Sequence, residues 1–465
     1  MTQSPPHNIS LLKRIIARID GGLLLTWTLC AFTLLPLLLH DGLPNGADVL
    51  YHTYRTGEMD RAWSQGLLFP RWADGLYYGY GSPLWHYYAG MTYYLGSLIM
   101  RLFSVDALNA LRWLIVFSFL LGSGGMYLFM RERAGKLGGI IAGVVYIYSP
   151  YILYTEPYAR GAYPELLALA WSPIILWRYG RLLQTGHWRD WALTALAHAA
   201  LILTHNLMAL AVTGFIAFWL LWEGVYALRR ERAIVWRYGL AFGALVMGVA
   251  LTAFFWLPVV LESDAVSLPN LTAVALLDYH NFFVSLDKLL GMPPLHDGGA
   301  INGLYNELAI GIGQWALALL GFISVVGLWL KTRTAEYARL LWQGLGMAVL
   351  ASLFIYMMTP SSQPIWDSVN IITYLQFPWR LLGPLMLALA ILAGMNAQWL
   401  AKLPAKILVP VSAGLLGVVI ILAFPLLYVP EWRNTEVDAS IAAYHQEELA
   451  GRQLGTTFTN EYLPA

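Results

Sequence analysis

Charge is scarce in this chain. Only 12% of its 465 residues are Asp, Glu, Lys or Arg, while 58% are hydrophobic; soluble domains run at roughly 25% charged. A soluble fold of this size is thereby excluded. Cysteine is scarcer still, with Cys30 alone, so neither an intramolecular disulfide nor a thiolate metal site can form. The 28 basic and 27 acidic residues leave no basic domain or stripe, which gives nucleic-acid binding no support. The P-loop, the G-x-S-x-G elbow and the H-E-x-x-H zinc motif are also missing. Charge is nearly absent from the interiors of the apolar runs and no halves repeat, which argues against a conventional transporter. His198 is the one ionisable group at mid-run and is expected to be a packed, neutral imidazole.

Long apolar runs take the place of what is missing. Residues 23–39, 240–260 and 407–429 approach or exceed the roughly 20 residues a bilayer crossing needs. The chain reads as an all-α polytopic membrane protein with spans near 21–40, 107–130, 137–155, 164–180, 188–204, 207–228, 238–260, 307–330, 340–358, 380–401 and 407–429. The twelfth apolar stretch, 84–103, mixes His86, Tyr87, Tyr88, Tyr93, Tyr94 and Arg101 among its apolar residues and is read as interfacial. With 84–103 outside the bilayer, the strongly basic connectors (Arg131, Arg133 and Lys136; Arg178, Arg181 and Arg189; Arg229, Arg230, Arg232 and Arg237) all fall on the cytoplasmic side, as the positive-inside rule requires. About eleven crossings follow, within a range of about eleven to thirteen, with the N-terminus inside and the C-terminus outside. Lys13, Arg14 and Arg18 precede a run too long for a cleaved signal and without a small-residue cleavage site, so a retained signal anchor is expected. Asn8-Ile-Ser10 and Asn270-Leu-Thr272 fit the N-glycosylation pattern, which is common by chance.

On this topology the polar segments gather on one face: the first loop (41–106), Tyr154–Glu165, Thr204–Asn206, Glu262–Asn306, Thr359–Arg380 and the tail from Glu431. The first loop is the richest in chemistry. Asp48 and His52 are four apart, which on a helix puts them on one face. Such a pair can take a proton from a hydroxyl or ligate a divalent ion, or serve as a helix cap beside a solvated imidazole. Arg160 sits between Glu156 and Glu165 and suits either a phosphate or a structural ion pair. Arg380 opens a span, where it can snorkel to head groups or fork onto phosphate oxygens. His205, beside Thr204 at a span end, fits a hydrogen-bonded interfacial residue.

The anchor helix, the loop with Asp48 and His52, the G-x-x-x-P-R-W of Gly66–Trp72 and the GYGSPLWHYY that follows occur here in a fixed order. They are joined by ARGAYPE (159–165), THN (204–206), LQFPWRLL (375–382) and GTTFTNEYLP (455–464). Together these resemble the GT-C glycosyltransferase superfamily, and within it the bacterial and archaeal membrane proteins labelled "6-pyruvoyl-tetrahydropterin synthase-related"; nothing in the chain suggests pterin chemistry. The resemblance implies a GT-C-like transmembrane domain over 1–429 whose large first outer loop carries juxtamembrane helices. It also implies an outer β-rich domain beyond the tail 430–465, so that the tail reads as the start of a missing or truncated domain, or of one supplied by a separate extracytoplasmic subunit.

The function implied is transfer of a sugar from a polyprenyl-phosphate or polyprenyl-pyrophosphate donor, at the outer face of a prokaryotic cytoplasmic membrane, with inversion. Carried over, Asp48 is the candidate base with His52 beside it and Asp41 as fallback. Arg380 and Arg160 are candidate donor-phosphate contacts, and Arg71, Glu156, Glu165 and His205 support them. The resemblance fixes no cofactor. A divalent cation (Mg or Mn) is left open, with Asp48 the possible ligand and no clear second acid beside it. The alternative is a non-catalytic GT-C-like protein that binds or moves a polyprenyl lipid or glycolipid.

Overall fold

The computed structural model describes residues 20–267, 278–293, 308–429, 432–433, 437–452, 454–457 and 459–463. The basic N-terminal residues, both glycosylation patterns and most of the 262–306 loop lie outside them.

The chain enters the bundle through α1 (Gly21–Leu39). Asp20 caps this helix by accepting the Gly22 N–H at 3.0 Å, and it also accepts the Tyr127 hydroxyl at 2.7 Å and pairs with Arg131. The next long helical run turns back on itself at Ala134 and Gly135, where Gly135 takes φ +73°. Its two arms, α2 (107–133) and α3 (136–147), are antiparallel and close-packed: a Cβ at Gly139 would lie 2.7 Å from the Tyr127 carbonyl oxygen, and one at Gly143 3.0 Å from that of Ser123. Small residues allow this approach, which packing in lipid rewards. Then come α4 (Tyr163–Thr185), α5 (Trp188–Thr204), α6 (Asn206–Arg230), α7 (Val235–Leu251), α8 (Ile312–Thr332), α9 (Ala335–Met358), α10 (Leu382–Gly394) and α11 (Ala405–Ala423).

Eight helical segments among the described residues are long and apolar enough to cross a membrane, and the folded-back 107–160 run counts as one of them. The Pro378–Leu400 segment, 94% buried over its apolar window, is the hub of the bundle, whereas Ala405–Leu427, at 22%, faces outward. The stretch 84–103 breaks into a single helical turn over Leu84–Tyr87 and a helix over Met91–Phe103. Its 13 residues span about 20 Å, short of the roughly 30 Å hydrocarbon core. His198 is held between the Tyr179 hydroxyl at 3.3 Å and Thr213 Oγ1 at 3.1 Å, as a packed imidazole should be.

One expected loop is helical. Residues 154–160 read as loop, but Tyr151–Arg160 winds as a π-helix that includes Pro157 and ends at Gly161 with φ +70°. Proline lacks the N–H of a regular α-turn, and the wider i to i+5 pattern absorbs the defect. Wide turns of this kind recur at functional sites.

The first loop is built on a helix over Val49–Ser64 and a tight turn in which Tyr77 and Tyr78 have φ +51° and +58°. The buried Glu448 carboxylate holds that turn, accepting from the Tyr77, Tyr78 and Gly455 N–H groups at 2.8, 2.5 and 3.0 Å. Glu448 belongs to a short tail helix, Ile441–Leu449. The described tail therefore packs against the first loop, with Tyr444 on Tyr54 and Tyr462 on Tyr87 at ring separations of 4.9 and 6.3 Å.

Candidate active site

Asp48 precedes the first-loop helix but caps nothing with its side chain. Its backbone fixes it instead: the Asp48 N–H donates to the Arg160 carbonyl at 2.7 Å, and that of Ala47 to Ala159 at 3.3 Å. Two glycines permit this contact between the loop and the end of the π-helix. A Cβ at Gly46 would lie 2.7 Å from the Tyr158 oxygen, and one at Gly161 2.4 Å from Val49 Cγ2. The loop motif and ARGAYPE thus become one site.

Behind Asp48 lies a buried charge cluster. Arg160 Nη1 donates to Glu156 Oε1 at 2.5 Å and Glu165 Oε2 at 3.0 Å. The same Glu165 oxygen accepts from Arg380 Nε at 3.1 Å, and the Tyr151 hydroxyl donates to Glu165 Oε1 at 2.8 Å. Arg380 Nη1 also donates to the Leu375 carbonyl and Gln376 Oε1, both at 2.8 Å. The guanidiniums lie over aromatic faces, Arg160 on Trp379 at 4.8 Å and Arg380 on Phe377 at 5.0 Å. At 6% exposure Arg380 does not snorkel to head groups. Losing one member of such a buried pair costs about 3–5 kcal/mol, so Glu165 is the pin that sets both arginines.

Asp48 itself makes no hydrogen bond or ion pair through its carboxylate among the described residues, and it remains partly open. Burial pushes its pKa above the ordinary 3.8, against the pull of Arg160, Arg55 and Arg380 in that order. A carboxylate near cations, paired to none and raised in basicity, is poised to accept a proton. His52 is 3% exposed, its Nδ1 2.7 Å from the Tyr93 hydroxyl and its ring edge-on to Tyr163 at 5.8 Å. Burial lowers its pKa well below 6.5 and keeps it neutral. His205 accepts the Met208 N–H at Nδ1, 3.0 Å away, and caps α6.

Asp48, His52, Arg160, Glu156, Glu165, Arg380 and His205 therefore gather at one place. Two expected residues do not join them. Asp41 is exposed in the preceding turn. Arg71 donates to the Phe254 carbonyl at 2.9 Å and lies 3.0 Å from His86 Nδ1, at the seam between the loop and the Ala253–Leu261 helix. Sequence reasoning missed Arg55, Tyr93 and Tyr151. Buried Arg55 donates from Nε to Thr456 Oγ1 at 3.0 Å, bonds the Thr456 carbonyl through Nη2, and sits 4.4 Å from the centre of the Tyr88 ring. Its place on the same helix as His52, three residues on, was the available signal. Among the described residues no three His, Cys, Asp or Glu side chains converge as a metal site would need, and the three guanidiniums near Asp48 would repel a cation.

The family described as 6-pyruvoyl-tetrahydropterin synthase related domain, membrane protein, matches residues 85–429, and the chain belongs to it. Among proteins of curated function, none matches the sequence. Solved structures match over most of its length. The oligosaccharyltransferase AglB from Archaeoglobus fulgidus, in complex with an inhibitory peptide and a dolichol-phosphate, superposes with TM-score 0.53 at 12% identity, covering 96% of this chain and 60% of that one. An Archaeoglobus fulgidus oligosaccharyltransferase tethered to an acceptor peptide gives 0.52 at 12%, covering 89% and 56%. ArnT from Cupriavidus metallidurans bound to undecaprenyl phosphate gives 0.49 at 18%, covering 87% and 64%, too low a score to carry weight. The chain thus spans about three fifths of the length of these structures. The matches above a TM-score of 0.5 show the fold alone: a polytopic helical membrane bundle of the GT-C type.

Proposed function

We propose that this member of the 6-pyruvoyl-tetrahydropterin synthase related family transfers a sugar from a polyprenyl-phosphate-linked donor to an acceptor hydroxyl on the extracytoplasmic face of a prokaryotic membrane. The observation that carries the proposal is the unpaired Asp48 carboxylate beside Arg55, Arg160 and Arg380. In the step, the acceptor O–H gives its proton to Asp48 as its oxygen attacks the anomeric carbon from the face opposite the phosphate. The carbon–oxygen bond to phosphate breaks, and the leaving oxygen keeps the electron pair. Arg160 and Arg380, fixed by Glu165, oppose the charge that develops there. Attack opposite the leaving group inverts the anomeric centre.

The GT-C fold supports the reading, as does the dolichol-phosphate bound by AglB, a lipid of the donor class proposed for this chain. The orientation proposed, N-terminus inside and C-terminus outside, rests on the basic connectors and the positive-inside rule. The test is Asp48→Asn. It is expected to lower transfer from a polyprenyl-linked sugar by about 10²- to 10⁴-fold, the worth of a positioned base, with donor affinity retained. Unchanged turnover would overturn the assignment. Donor binding without turnover in the wild type would favour a lipid-binding protein of the same fold.

A further inference from the structure

The Thr204-His205-Asn206 step has no task in the reaction above, yet its imidazole lies at the site. His205 Nδ1 accepts the Met208 N–H at 3.0 Å. A backbone N–H only donates, so Nδ1 must present its lone pair. Burial pushes the imidazole's pKa down to about 4, and the neutral ring therefore carries its one proton on Nε2. His205 is 7% exposed, and Nε2 has no hydrogen-bond partner among the described residues. An N–H donor on a nearly buried ring, left without a protein acceptor, is open to one from a ligand.

Packing places His205 beside the charge cluster. A Cβ at Gly383 would lie 2.5 Å from Leu169 Cδ2 and 3.4 Å from Met208 Cε. The N-terminal ends of α4, α6 and α10 therefore meet, and Glu165, His205 and Arg380 lie at those ends. The charged groups acting on His205 are Glu165, Arg380 and Arg160, and His52 is a near neighbour. A second donor is idle there. Arg380 spends Nε on Glu165 and Nη1 on Leu375 and Gln376, which leaves Nη2 without a partner among the described residues.

We infer that His205 Nε2–H and Arg380 Nη2 together grip a non-bridging oxygen of a phosphate ester bound beside Asp48, which makes His205 a specificity-determining residue for the donor. The inference rests on the donor class proposed above. A neutral donor has a particular value at this position. A further cation would hold Asp48 more firmly ionised and weaken it as a base, whereas an imidazole N–H grips the phosphate without doing so.

The test uses the full chain in nanodiscs, with farnesyl phosphate as a short polyprenyl phosphate, farnesol as its uncharged counterpart and inorganic phosphate as competitor. His205→Asn places Oδ1 where Nδ1 was, so the α6 cap survives and only the Nε2 donor is lost. His205→Gln returns an N–H at the longer reach and sacrifices the cap. The Asn variant is expected to bind farnesyl phosphate about 10-fold more weakly, the worth of a hydrogen bond to a charged group, with Tm and farnesol binding unchanged. Its donor KM rises while its acceptor KM does not. The Gln variant recovers most of the affinity at a lower Tm. Weaker competition by inorganic phosphate in the Asn variant locates the contact at the phosphate rather than at the lipid chain. An Asn variant that binds farnesyl phosphate as the wild type does, or loses farnesol equally, overturns the role of His205 alone. A wild type that binds farnesol but not farnesyl phosphate overturns the donor class, and this inference with it.

Discussion

At the residue scale Asp48 carries the argument, because its environment asks for two opposite things. Enclosure raises its pKa above 3.8 while three guanidiniums restrain the rise. An acid whose folded pKa lies above its unfolded one binds more protons when folded, so wild-type stability falls as pH rises from 3.8 through the folded value. Above that window the ionised carboxylate burdens the fold. Asp48→Asn removes the burden and is expected to raise Tm by a few degrees at neutral pH, with the gain shrinking toward zero as pH falls to 3.8. Thermal unfolding of both proteins across that range checks it, and a gain independent of pH would mean that the fold does not raise the Asp48 pKa. The same sign governs the reaction. The base works only when ionised, so the acid limb of the transfer rate should lie above the ordinary carboxylate range. A limb at 3.8 would exclude Asp48 as the titrating group.

At the scale of elements the decisive joint is that between the first loop and the π-helix. Gly161 closes the π-helix at φ +70°, and a methyl there would meet both Val49 Cγ2 at 2.4 Å and the Val49 backbone nitrogen at 3.1 Å. The side chain can turn aside, but the backbone cannot. Gly161→Ala is therefore expected to cost roughly 3 kcal/mol, from the left-handed conformation and the overlap together, and to abolish transfer by drawing Asp48 away from Arg160. Gly451→Ala is the control, with φ +72° and open space around it. It should cost only about 1–2 kcal/mol and leave transfer intact. Equal effects of the two substitutions would refute the joint. Much of this site was legible in the sequence, because charges in a nearly charge-free chain must collect where they can be satisfied. Asp48, Arg160, Glu165 and Arg380 stood out for that reason. The π-helix did not, since Pro157 in a tyrosine-rich run reads as a loop. Arg55 was hidden as well: its partner Thr456 lies 401 residues away, and no local period reports a contact of that span. Asp41 and Arg71 stood out on charge alone, and each is satisfied elsewhere, by solvent or by a seam between elements.

At the scale of the whole molecule, one short helix decides on which side of the membrane everything lies. Between Tyr80 in the first loop and Gln184 at the end of α4 the chain makes three long passes: α2, then α3 with its π-helical extension, then α4. An odd number puts the two residues on opposite sides. Had Met91–Phe103 also crossed, the passes would be four and the two residues would share a side. Its length of about 20 Å argues that it lies along the interface. Arg101 supports that placement, since it is tied to Asp60 of the first-loop helix at 2.7 Å and so belongs to the same polar layer. The native thiol does not obscure the measurement, because Cys30 is 2% exposed and can be replaced by alanine. Tyr80 is 85% exposed and Gln184 is also exposed, so a cysteine at either can react. In intact cells an impermeant maleimide is expected to label Tyr80→Cys at once and Gln184→Cys only after the membrane is opened. Labelling of both in intact cells would mean that 84–103 spans the bilayer, and it would put Arg160 on the face opposite Asp48, which the backbone bond between them and the proposed reaction both exclude.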